Sequence, residues 1–121
     1  MSETFRARPT VYAGIQMRSR LEARYAAILD DLGFPWRYEP RAYGASARKQ
    51  YLPDFEYLLH GKPVIAEVRP TPEGAYRAME QMTVIWENDP HARLIVATPE
   101  MSWLADGDDR QWTILPFRWP A

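Results

Sequence analysis

Cysteine is missing from all 121 residues, which excludes disulfide bridges and thiolate metal sites. Histidine occurs only as His60 and His91, too few for a structural zinc site without thiolates. Each lies beside a turn, where an exposed, inert side chain is expected. No apolar run approaches the ~18 residues of a membrane span, and no charged-then-apolar leader opens the chain. The expectation is a cytoplasmic protein that does not engage a membrane. A surplus of positive charge is lacking as well. The net charge of −1 argues against binding nucleic acid by bulk electrostatics. The distribution is nonetheless uneven: residues 1–50 carry nine Lys/Arg against five Asp/Glu, and residues 51–121 carry six against eleven. A basic N-terminal half could track a phosphate backbone beside an acidic centre, or simply be a solvated surface.

What is there suffices for one domain, 1–121, with a single core. Residues 1–10 read as a polar flexible tail, with Arg6 and Arg8 as a possible backbone-contacting arm. Two short extended pieces flank Gly14. Helix one follows, capped by Ser19 and closed by Gly33, with Leu21, Tyr25, Ile28, Leu29 and Leu32 at helical spacing on the buried face. Pro35 to Pro40 is a short strand bounded by prolines, fit for an edge. Arg41 to Gln50 is a loop carrying the basic pair Arg48 and Lys49. Thr71 and Pro72 open helix two, which is expected to run to about Asn88 with Ala75, Tyr76, Met79, Met82, Thr83 and Trp86 inward. Ala92 to Ala97 is a buried central strand. A loop or single helical turn is expected from Thr98 to Leu104, a turn at Asp106 to Asp109, a last strand from Trp112 to Phe117, and Trp119 packed on the core. The alternating acids of that last turn lack the ligand pattern and terminal Glu of a calcium loop.

The chemistry concentrates between Tyr51 and Arg69, in YLPDFEYLLHGKPVIAEVR. Two strands meet at His60-Gly61-Lys62. Alternation puts Glu67 and Arg69 on the face of Ile65, while Val64, Ala66 and Val68 point the other way, and Asp54 falls across from that pair. A charged Glu67 inside the apolar run VIAEV is costly unless it has a partner. Two carboxylates and a cation at neighbouring strand ends are the inventory for holding a hard divalent metal and a phosphate. The blander alternatives are a turn carboxylate at Asp54 and a surface ion pair between Glu67 and Arg69, worth at most ~1 kcal/mol. Glu22 stands three residues after Ser19, as a capping box requires, and also flanks the face turned toward the sheet.

Pro53-Asp54, twelve residues, then Glu67-Val68-Arg69 resembles the PD-(D/E)XK nuclease superfamily, the restriction-endonuclease-like fold. The run from Arg18 to Arg24, and that from YEP to YLPDF, resemble its small stand-alone phage and bacterial members, related to transposition endonuclease subunits and mismatch-repair-type nucleases. The resemblance covers about Tyr12 to Pro72 and departs at one position, where Arg69 stands in place of the motif's Lys.

The resemblance implies an α/β fold with an αβββαβ core, a mixed central sheet flanked by helices. It implies Mg²⁺, with Mn²⁺ able to substitute, bound by Asp54, Glu67, the backbone carbonyl of Val68 and, in one of its two readings, Glu22. Catalytic roles fall to Glu22, Asp54, Glu67 and Arg69. DNA contacts fall to Arg18, Arg20, Arg48 and Lys49, and Gln81, with Tyr76, matches polar helix residues that assist the site in some nucleases of this fold. The implied activity is metal-dependent DNA endonuclease cleavage, by a homodimer or as a subunit of a larger DNA-processing complex. The alternative is a catalytically impaired nuclease-fold protein serving as a DNA-binding or assembly module. Arginine keeps the charge of the motif's lysine but, with a pKa above ~12, cannot serve as a base.

Overall fold

Sheet strands with apolar residues on both faces must be covered on both, and that requirement organises this chain. The computed structural model describes residues 8–44 and 50–120. Arg6, most of the expected tail, Arg48 and Lys49 lie outside the described residues; Thr10 already begins a strand.

The chain is a mixed α/β domain. A two-stranded ribbon, β1 (Thr10–Tyr12) and β2 (Ile15–Met17), leads into helix α1 (Arg20–Leu32). Strands β3 (Trp36–Tyr38), β4 (Phe55–Leu59) and β5 (Lys62–Val68) form an antiparallel meander. Helix α2 (Pro72–Met82) and the single turn α3 (Ile85–Asn88) cross over to β6 (Arg93–Ala97), which pairs parallel to β5. Strands β7 (Ser102–Ala105) and β8 (Trp112–Leu115) add antiparallel to β6, giving a six-stranded sheet in the order β3-β4-β5-β6-β7-β8.

Alternation along the central strands divides the core in two. Phe55 and Tyr57 of β4, with Val64, Ala66 and Val68 of β5, meet Tyr25, Ala26 and Leu29 of α1. Ile65 of β5, Leu94 and Val96 of β6 and Trp103 of β7 meet Ala75, Met79, Met82, Ile85 and Trp86. Trp119 packs on the first half, 5.7 Å from the ring of Tyr25. Phe55 is fully buried, and burying a side chain of that size contributes roughly 3 kcal/mol.

Local signals set the joints. The β4–β5 turn uses His60 (φ 53°) and Gly61 (φ 78°), the two left-handed residues a two-residue hairpin of this twist requires. Gly33 (φ 81°) ends α1, with its N–H and that of Phe34 returning to Asp30 and Leu29 carbonyls.

Three expectations are corrected here. Helix two stops at Met82 instead of continuing to Asn88. The Thr83 hydroxyl donates to the Glu80 carbonyl, and Val84 and Trp86 bond three residues back, tightening the chain so that Ile85 and Trp86 turn inward. Tyr76 and Thr83 lie outside the buried stripe; Tyr76 is exposed and set edge-on against Trp103, while Ala78 takes an inward place. In α1, Leu32 is exposed and Ala23, Ala26 and Glu22 are buried instead. Of the loop or helical turn expected from Thr98 to Leu104, Thr98 to Met101 is a loop, whereas Ser102 to Leu104 belong to a strand, β7. The Thr98 hydroxyl and amide both bond to Met101, closing a tight turn instead of capping a helix.

Candidate active site

Register brings the two central acids together. The last β4–β5 pair is Phe55 with Ala66, so one step beyond it Asp54 stands opposite Glu67. Two reciprocal bonds lock the pair: the Asp54 amide donates to Glu67 Oε1 at 2.8 Å, and the Val68 amide donates to Asp54 Oδ2 at 2.8 Å. Asp54 is fully buried and Glu67 is 2% exposed. Buried carboxylates are costly without counter-charge, and burial raises the pKa of both above the ordinary range. Glu67 and then Glu22 push Asp54 further in the same direction, whereas Arg69 opposes the rise at Glu67.

Two guanidiniums supply that counter-charge. Arg69, directly after β5, places Nη2 2.5 Å from Glu67 Oε2, Nη1 3.6 Å from Asp54 Oδ2, and donates from Nη1 to the Val68 carbonyl at 2.9 Å. Arg18, between β2 and α1, supplies the second. Its Nη2 lies 2.7 Å from Asp54 Oδ1, 2.9 Å from Glu39 Oε2 and 3.5 Å from Glu22 Oε2.

Glu22 belongs to this centre. Ser19 accepts the Glu22 amide at 3.1 Å, as a cap should, but the Glu22 carboxylate does not return to the Ser19 amide. It accepts instead from the Arg18 amide at 2.9 Å and from the Tyr38 hydroxyl at 2.7 Å. Burial, followed by this bond to Glu22, pushes the Tyr38 hydroxyl up to about 12.

The remaining candidates lie as follows. Arg18 pairs with the acids instead of standing free for a phosphate, while Arg20 is exposed at the first position of α1. Gln81 is exposed near the end of α2 and outside the hydrogen bonds that join the acids. His60 is exposed at its turn; His91, also exposed, holds Asp108 at 2.9 Å.

Sequence reasoning missed Glu39, Tyr38 and Tyr51. Glu39 adopts φ 47°, a conformation non-glycine residues rarely take, although a residue before proline favours extended backbone. Its amide donates to the Asp54 carbonyl at 2.8 Å, which holds it there. Nothing in the local pattern announces that geometry. The Tyr51 hydroxyl is buried without a well-formed hydrogen bond, beside the Glu67 charge; burial and then that charge raise its pKa. Only Tyr51's place at the start of the acidic stretch hinted at it.

Four carboxylates thus share two guanidiniums, a formal charge of −2. That deficit, together with an all-oxygen donor set that includes the Val68 carbonyl, suits a hard divalent cation. Among the described residues, no group of three or more His, Asp or Glu side chains is arranged to hold an ion as it stands. Beside the acids opens a cleft of about 330 Å³, lined by Arg18, Glu22, Val68, Arg69 and Pro70 among others. Among the described residues, no helix is long and apolar enough to cross a membrane. The chain matches no protein-family model and no curated protein, so the site is read from its own chemistry.

Proposed function

We propose that this chain is a metal-dependent DNA endonuclease of the restriction-endonuclease-like fold. The observation that carries the reading is the buried Asp54–Glu67 pair, locked across β4 and β5 and short of positive charge. The order α1-β3-β4-β5-α2-β6, with β5 and β6 parallel, is the αβββαβ order that the sequence resemblance implies.

Phosphodiester hydrolysis requires a positioned water and neutralisation of the charge that builds on the phosphoryl oxygens. Asp54, Glu67 and the Val68 carbonyl would hold Mg²⁺, with Mn²⁺ as a substitute and Glu22 at the margin. A bound ion supplies Lewis acidity and a more acidic water. The chain's own residues do the rest. Asp54 and Glu67 fix their carboxylates by accepting backbone amides, so neither must reorganise. Arg69 contributes a fixed positive charge next to the pair and, with its fork of donors, can grip a phosphate oxygen. DNA is the expected partner, and a duplex cut on both strands calls for a second copy or a larger assembly.

The test is nicking of supercoiled DNA with Mg²⁺ or Mn²⁺, comparing wild type with Asp54→Ala. Metal-dependent cleavage that drops on the order of a hundredfold or more is expected. Equal cleavage by the two proteins would remove the basis of the proposal.

A second reading, a catalytically impaired DNA-binding or assembly module, is favoured by the grip of Arg69 on Glu67 and the Val68 carbonyl. It predicts a silent wild type.

A further inference from the structure

Arg18 and Arg69 both neutralise the acids, but they are held differently. Arg69 is 28% exposed and tied to its own strand through the Val68 carbonyl. The Arg18 side chain is 62% exposed, while the Asp54 carboxylate it reaches is fully buried. A single nitrogen, Arg18 Nη2, meets oxygens from Asp54, Glu39 and Glu22, which come from three separate parts of the chain. Those elements converge on one point, and the charge at that point enters from solvent on a long flexible side chain. The cleft that Arg18 lines lies alongside, giving the guanidinium room to withdraw.

We propose that Arg18 is a displaceable internal cation that sits between Asp54, Glu39 and Glu22 until a divalent metal ion binding at Asp54 and Glu67 displaces it. The inference rests on the metal-site reading above and adds its regulation: the chain competes with its own metal. Glu39 becomes part of the site, since its carboxylate helps to seat the guanidinium and is released with it. Asp54, which holds Arg18 Nη2 at 2.7 Å against 3.5 Å for Glu22, is the carboxylate for which an ion would compete with the guanidinium. Without Arg18 the metal-free acids repel one another, and an ion entering the centre displaces nothing.

Calorimetric titration with Mn²⁺ alone, on wild type, Arg18→Ala and the double variant Arg18→Ala/Asp54→Ala, tests this. Thermal melts first establish that each variant is folded. Arg18→Gln, which keeps length and polarity but removes the charge, serves where alanine does not fold. The expected result is Mn²⁺ binding on the order of tenfold tighter in Arg18→Ala than in wild type, and lost in the double variant. The metal-free melting temperature should fall in Arg18→Ala, with Mn²⁺ restoring it. A merely structural Arg18 would lower the melt without tightening the metal. Equal or weaker Mn²⁺ binding in Arg18→Ala, with wild type still binding, would overturn the competition and leave the metal site standing. No binding in either protein would overturn both.

Discussion

Arg69 shows how one residue type can decide an outcome. Its two nitrogens occupy Glu67 Oε2 and the Val68 carbonyl at once, through a planar fork that a lysine ammonium cannot reproduce. Arg69→Lys keeps the charge, frees one of those oxygens for metal, and restores a group whose pKa can be tuned. Metal-dependent nicking should rise roughly tenfold or more over wild type. A rate equal to or below wild type would mean that the guanidinium itself is the better catalyst or phosphate grip. The pair Asp54 and Glu67 was legible in the sequence, because a carboxylate inside VIAEV demands a partner and strand alternation names its face. Glu39 was not, because its left-handed backbone depends on a bond to Asp54 fifteen residues away.

At the scale of elements, short pieces prove to be defined by what they touch. Gly107 sits in the expected turn after β7, yet backbone conformation does not explain it. A Cβ at that position would be driven into the Pro90 carbonyl oxygen and the backbone of His91. Those neighbours are main-chain atoms that cannot step aside, so Gly107→Ala should cost about 1–3 kcal/mol in urea unfolding. A loss below a few tenths would show that the two turns separate easily. Helices α1 and α2 announced their starts through Ser19 and Thr71, each accepting an amide three residues on. The end of α2 did not, since Thr83 and Val84 are tolerated in helices and only the need to bury Ile85 and Trp86 bends the chain there. Strand β7 was hidden for a related reason: Thr98-Pro99 is equally a helix start, and pairing with β6 made it a turn.

Across the whole molecule, the sheet is sealed on both faces by aromatic side chains, which has a consequence in alkali. Six of the seven tyrosines, Tyr12, Tyr25, Tyr38, Tyr43, Tyr51 and Tyr57, have pKa values raised above the usual 10. Burial is the leading cause for all but Tyr12, where the bond to Asp30 leads. A raised folded-state value means that folding favours the protonated form. The stability these groups contribute is intact below pH ~10 and is lost as the unfolded chain gains by ionising above it. Unfolding should therefore set in above pH ~10, with tyrosinate absorbance rising together with loss of circular dichroism. Tyrosines that titrate gradually, well before the fold is lost, would contradict this. Tyr25, fully buried beneath α1 with its hydroxyl 3.1 Å from that of Tyr57, should be among the last to ionise.

By itself the sequence determined the helix starts, the meander and its turn at Gly61, the central strand and the two acids that face one another. Each of these follows from local periodicity, capping and turn chemistry, or from the cost of burying a charge. The tertiary structure alone decided where the charge of Arg18 goes. Arg18 is remote in the chain from Asp54, and only the stacking of α1 against β4 and β5 brings its guanidinium onto three carboxylates. Long-range electrostatics of this kind has no period and no spacing, so it becomes visible only when the elements are packed.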